Sequence, residues 1–171
     1  RGLGDVYKRQ GIMAMHTWFE CKIRYEKVME NGMQKKVTEP YLVDALSFTE
    51  AEARIIEEMT PFITGEFTVS DIKRANYSEL FPSDEESADR WFKCKLIFIT
   101  LDEKSGAEKK TSTQVLVQAA DLRDAVKKLD EGMKGTMADY QIGMVSETPL
   151  MDVYPYSAEP NDKPEFDPSK A

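Results

Sequence analysis

Trp18-Phe19-Glu20-Cys21-Lys22 returns 73 residues later as Trp91-Phe92-Lys93-Cys94-Lys95, and that recurrence decides the fold. Outward from it, Asn31-Gly32 with Lys35-Lys36 matches Ser105-Gly106 with Lys109-Lys110, now offset by 74. Leu42-Val43, Ala45 and Met59 match Leu116-Val117, Ala119 and Met133 at the same offset. Phe67-x-Val69 then matches Tyr140-x-Ile142, and Phe81-Pro82 matches Tyr154-Pro155, with the offset back at 73. One residue inserted in a hairpin and one deleted after a helix account for the drift. Both changes fall in connections, where chains tolerate them. An ordered series of this kind is a tandem duplication.

Each copy reads as β-β-α-β. Phe19, Cys21, Ile23 and Tyr25 alternate with Trp18, Glu20, Lys22 and Arg24, the pattern of a strand with one buried face. Phe92, Cys94, Leu96 and Phe98 alternate in the same way with Trp91, Lys93, Lys95 and Ile97. Asn31-Gly32 supplies a hairpin, Ser105-Gly106 a weaker one, and the strands return over Lys35–Val43 and Lys109–Val117. Pro40 has no ladder donor, which places the first returning strand at an edge or on a bulge. Ser47 with Glu50, and Asp121 with Asp124, are helix-start patterns. Phe48, Ala51, Ile55 and Met59 then form one apolar stripe, repeated by Leu122, Ala125, Leu129 and Met133. Pro61 and Gly135 end the helices. A third strand follows at Glu66–Ile72 and Asp139–Val145, and a short extended segment runs into Phe81-Pro82 and Tyr154-Pro155.

The class is therefore α+β, a tandem duplication of a β-β-α-β unit. A unit of about 65 residues has a thin core alone, so the repeats are expected to pack about a pseudo-twofold axis. The predicted core is Phe19, Cys21, Ile23, Ile55 and Met59 with their copies Phe92, Cys94, Leu96, Leu129 and Met133.

The expected boundaries are a non-native segment at 1–12, a first repeat at 13–82, an acidic linker at 83–89, a second repeat at 90–156 and a disordered acidic tail at 157–171. Asp5-Val6-Tyr7-Lys8-Arg9-Gln10 is what GAT GTG TAT AAG AGA CAG encodes, a transposase end used in sequencing libraries, so it is set aside from fold reasoning. The natural start is expected at Met13 or Met15, in a gene of environmental, metagenomic origin. Pro160, Pro164 and Pro168 among acidic residues mark the tail.

Hydrophobic residues at 41% and aromatics at 10% suffice for a core, and the formal charge is −8. Setting aside Arg1, Lys8 and Arg9 against Asp5, a contribution of +2, leaves −10. Such a surface repels phosphates, so nucleic acid is not expected as a partner except through a local basic patch. No apolar run is long enough to span a membrane and no secretory signal follows Met13, which points to a cytoplasmic protein. Two cysteines at matching places do not make a disulfide framework.

His16 is the only histidine, and Cys21 and Cys94 with it give three dispersed metal-ligand types where a structural zinc site wants four close ones. A cysteine flanked by Phe19 and Ile23 reads as a small core residue. Glu57-Glu58 and Glu85-Glu86 are sequence neighbours that point apart on a helix. No phosphate loop, nucleophile elbow or zinc-protease motif occurs. No catalytic residue, metal or cofactor is assigned, and the chain is expected not to be an enzyme. One recurring pattern remains: Trp18 and Lys22 with Lys35-Lys36, and Trp91 and Lys95 with Lys109-Lys110. These eight residues either hold an anionic, stackable ligand such as a nucleotide, or serve the fold, with the tryptophans sealing the seam between halves and the lysines guarding strand edges.

The opening Met15-His16-Thr17-Trp18-Phe19-Glu20-Cys21-Lys22, with residues 41–53, resembles a family of small proteins from gut anaerobes and their phages that carries no assigned activity. The similarity covers roughly Met15 to Tyr156. It implies a bacterial or phage-infected cytoplasmic setting and carries over no site residue. Two functions stay open. The first is a binding or regulatory protein engaging a protein partner through an acidic surface, as an inhibitor or nucleic-acid mimic. The second is a small anionic-ligand binder at the Trp/Lys positions.

Overall fold

The computed structural model describes residues 17–136 and 139–156. The 1–12 segment, His16 and the 157–171 tail lie outside the described residues. The elements run β1 (Thr17–Val28), β2 (Gln34–Ala45), α1 (Phe48–Met59), β3 (Phe67–Ala75), β4 (Glu79–Phe81), β5 (Arg90–Leu101), β6 (Glu108–Ala119), α2 (Leu122–Gly132), β7 (Asp139–Glu147) and β8 (Asp152–Tyr154). The class is α+β, with the same strand-strand-helix-strand order twice.

Local chemistry repeats along with it. Ser47 Oγ accepts from Glu50 N at 3.1 Å, and Asp121 Oδ1 accepts from Asp124 N at 2.8 Å. Glu50 and Asp124 each reach back to accept a backbone N–H, from Leu46 and Ala120. Each helix start thus satisfies orphan amides reciprocally. Both hairpins place a glycine at positive φ, Gly32 at 81° and Gly106 at 73°. The first closes between Met29 and Met33 and the second between Asp102 and Ala107, so the second loop holds the inserted residue. Each first strand also breaks register at the same place, between Lys22 and Ile23 and between Lys95 and Leu96. Against the expectation from Pro40, β2 is neither at an edge nor bulged against β1: it lies between β1 and β8, and Pro40 pairs with Lys22 just before the three residues that meet β8.

Two compact units result, and they cut across the repeats. Unit 1 holds the described residues through Ala75 together with those from Asp152 onward, and unit 2 holds Asn76–Met151. Unit 1 has the sheet order β3-β1-β2-β8 and unit 2 the order β4-β6-β5-β7. The last strand of each repeat therefore completes the sheet of the other.

Strand geometry explains the exchange. β2 and β3 both run antiparallel to β1, so they are parallel to each other, and the short strand on β2 is parallel to it as well. If β4 were to fill that place in its own repeat, the chain would need a crossover of about a dozen residues or more. Only Asn76–Ser78 separates β3 from β4, and only residues 148–151 separate β7 from β8. The chain cannot return, so it enters the other sheet.

In unit 1, Phe19, Cys21, Ile23, Val43 and Ala45 of the sheet pack with Ala51, Ile55 and Met59 of α1. In unit 2, Phe92, Cys94, Leu96, Val117 and Ala119 pack with Ala125, Leu129 and Met133. All ten residues of the predicted core are buried. The two thiols are free, and burial pushes Cys21 up to about 12 and Cys94 up to about 11. They stay protonated and unreactive at neutral pH.

Candidate functional site

Alternation along β1 and β5 puts Trp18, Lys22, Trp91 and Lys95 on the sheet faces turned away from the helices. Trp18 is 1% exposed and Trp91 5%, while Lys22 is half-buried and Lys95 exposed. The tryptophans have no open ring face for stacking. Lys35, Lys36, Lys109 and Lys110 are exposed at the hairpin ends of their sheets. Trp18 faces Asp44 across the ladder and Lys36 faces Glu26, eight positions along β1. At 3.3 Å per residue, that separates them by roughly 26 Å. Trp91 and Lys110 are equally separated, because Lys110 pairs with Ile99. The sheet thus brings each tryptophan near one lysine and keeps the lysine pairs away.

A different group comes together in unit 1. Glu39, on the inward face of β2, is 8% exposed. Its Oε1 accepts from Tyr25 Oη at 3.0 Å and from Tyr41 Oη at 3.2 Å, and Lys27 Nζ stands 3.4 Å from its Oε2. The Tyr41 ring stacks on Tyr154 of β8, with centroids 6.2 Å apart. Burial first, then the Glu39 carboxylate, holds the Tyr25 and Tyr41 phenols above their ordinary range. Burial, with Asp152 and Glu58 nearby, pushes Tyr154 up to about 12. Such phenols are donors at neutral pH, and with the partly exposed Lys27 ammonium they compensate the buried Glu39 carboxylate. Sequence reasoning missed it. The signal was there, because Tyr25, Glu39 and Tyr41 sit where the second repeat has Phe98, Thr113 and Val115.

The second feature is a set of exposed apolar side chains on and beside α1. Phe48 is 46% exposed, Ile56 41% and Phe62, just beyond the helix, 75%. Leu46 before the helix is exposed too. Phe48 lies edge-on to Phe19 at 4.9 Å, and the Arg74 guanidinium is 5.7 Å from the Phe48 ring and 5.8 Å from the Phe19 ring. Between these apolar groups α1 carries Glu50, Glu52, Glu57 and Glu58 against Arg54 alone. The matching helix α2 balances Arg123, Lys127 and Lys128 against Asp124, Asp130 and Glu131, and has Asp130 where α1 has Ile56.

Residues 17–156 match the model of a family described as a domain of unknown function, DUF4494. The chain belongs to the DUF4494 family. No curated protein and no solved structure matches. The DUF4494 match spans both repeats and ends just after β8, so it includes both exchanged strands. Among the described residues, no group of three His, Cys, Asp or Glu side chains stands close enough to hold a metal ion, and no helix is long and apolar enough to cross a membrane.

Proposed function

We propose that this DUF4494 protein is a non-enzymatic binding or regulatory protein that engages a protein partner through the acidic outer side of α1. One observation carries the reading: exposed Leu46, Phe48, Ile56 and Phe62 lie on and beside a helix that bears four glutamates and one arginine, whereas the equivalent helix of unit 2, which also exposes Leu122, is mixed in charge and has Asp130 in place of Ile56. Exposed apolar side chains gathered on and beside a helix are a common mark of an interaction surface. Charge complementarity makes the partner segment basic with apolar anchors. An inhibitor or nucleic-acid mimic in a bacterial or phage setting is the form of this proposal that the net charge favours.

The test is affinity capture from a bacterial lysate with the full chain, its Ile56→Asp/Phe62→Asp variant and a Leu122→Asp control. A partner retained by the parent and the control, and lost by the double variant, supports the proposal. Equal retention by all three chains sinks it, provided circular dichroism shows them folded alike.

A further inference from the structure

The two units hold their borrowed strands unequally. In unit 2, Leu80 and Phe81 of β4 are buried, and a Cβ added at Gly132 of α2 would stand 2.8 Å from the Phe81 ring, so ring and helix backbone are in close contact. Lys128 then clamps the following segment, donating to Ser83 Oγ at 3.0 Å and to Glu85 at 2.9 Å, while Ser83 N donates to Gln118 at 3.0 Å. Unit 1 repeats the plan with weaker parts. Arg54 stands at the position of Lys128 and donates to the Pro155 carbonyl at 3.2 Å, with its guanidinium 5.7 Å from the Tyr156 ring. Tyr154 replaces Phe81 and is only half-buried, and Met151, Asp152 and Tyr156 are exposed. Where unit 2 has Gly132, unit 1 has Glu58, which lies near Asp152 of the incoming strand. Burial, with Glu57 and Asp152 adding to it and Arg54 opposing, holds the Glu58 carboxyl above its ordinary range, whereas Gly132 brings no charge to the same place.

β8, like β4, pairs over three residues, Tyr41 with Asp152, Leu42 with Val153 and Val43 with Tyr154, and Tyr154 stacks on Tyr41, so the difference lies in the side chains and not in the ladder. Displacing β8 would expose a β2 edge and the inner flank of α1, where an extended segment can add parallel. The two occupants seen here have one chemistry, aliphatic-aromatic-proline: Leu80-Phe81-Pro82 and Val153-Tyr154-Pro155. We propose that the β2–α1 groove of unit 1 is an exchangeable docking site, and that its occupant in trans is residues 150–156 of a second copy of this chain. The second copy is the occupant of choice because its segment fits by identity. The short 148–151 connection already delivers β8 outside its own repeat, from a start anchored by Thr148 N and Oγ1, which both donate to the Trp91 carbonyl at 2.9 Å. The inference shares Arg54 and Glu58 with the α1 partner surface but does not rest on that reading.

The experiment uses the full chain and a fluorescein-labelled peptide with the sequence of residues 150–156, read by fluorescence anisotropy. In the wild-type chain the peptide competes with a tethered β8, so its apparent affinity is lowered by the fraction of open groove. Val153→Asp removes the apolar anchor of the chain's own β8, and the peptide is expected to bind that variant at least tenfold more tightly. A peptide with the same change binds neither chain. A Val153→Asp chain that keeps the wild-type circular dichroism and shows no gain in peptide affinity overturns the proposal. If that variant loses its fold, Tyr154→Ser is read in the same way. Exchange between whole chains is tested by mixing Tyr41→Cys and Asp152→Cys chains under mild oxidation. A disulfide-linked heterodimer supports the proposal, and its absence overturns it.

Discussion

Unit 1 and unit 2 share a fold down to the caps, the bulge and the borrowed strand, yet they place polarity on opposite sides of it. Unit 1 has a tyrosine–glutamate–lysine cluster at the β2 end of its sheet and apolar Ile56 and Phe67 on the α1–β3 side. Unit 2 has Phe98, Thr113 and Val115 at the first place and a Tyr140–Asp130 hydrogen bond of 3.0 Å at the second. Duplication makes each unit a control for the other. What they share is required by the fold, and what they do not share is where function is to be sought.

The largest expected effect tests what is shared. Trp18→Ala empties a fully buried site and is expected to cost about 3–5 kcal/mol, and Trp91→Ala about as much, measured by urea unfolding. A Trp18→Ala chain as stable as the parent would end the structural reading of the tryptophans and revive the ligand-site reading. Trp18→Phe is expected to cost less than that size change usually does, because the buried Trp18 Nε1 has no hydrogen-bond partner among the described residues.

The exchanged strands come next. Gly132→Ala drives a methyl into the Phe81 ring and is expected to destabilise by about 1–3 kcal/mol. Glu58→Ala, at the matching place in unit 1, is expected to be neutral or stabilising, since it relieves the neighbouring Asp152. Equal losses in two parallel thermal melts would show that the strands are held alike.

The Glu39 cluster gives an intermediate effect with an internal check. Glu39→Ala strands the Tyr25 and Tyr41 hydroxyls and is expected to cost about 1–3 kcal/mol. The triple change Tyr25→Phe, Glu39→Thr, Tyr41→Val copies unit 2 and is expected to recover most of that loss, because no buried polar partner is left unpaired. Denaturant titration of both chains decides it. A triple variant weaker than the single one would mean that the cluster itself holds unit 1 together.

The smallest effect is pH dependence from Glu58. Burial, then Glu57 and Asp152, raise its pKa above the ordinary 4.5, although Arg54 pulls the other way. A carboxyl raised in the folded state favours folding when protonated. Its contribution is fully present below the ordinary carboxylate value and is lost as pH rises through the raised one. Glu58→Gln is therefore expected to melt above the parent at neutral pH, with the gap closing as pH falls toward 4.5. A gap that stays constant with pH would remove Glu58 from the account of how β8 is held.

Much of this was legible in the residues alone. Periodicity and capping are local, so the repeated alternation around Cys21 and Cys94 and the Ser47 and Asp121 starts located strands and helices, and the shift from 73 to 74 located the inserted hairpin residue. A buried carboxylate such as Glu39 is less legible, because its cost is cancelled by partners 12 to 14 residues away that only the hairpin register brings into reach.

The sequence by itself determined that the chain is a duplicated β-β-α-β protein, which residues form its two cores, and where its turns fall, because each of these depends on neighbours within one or two turns of chain. Only the tertiary structure decided which sheet receives β4 and β8, that Trp18 and Trp91 are buried, and that Glu39 meets Tyr25 and Tyr41. A strand of three residues carries too little pattern to name its neighbour. Its partner is set by strand direction and by the few residues available to cross from one sheet to the next, and those constraints exist only once the sheets are built.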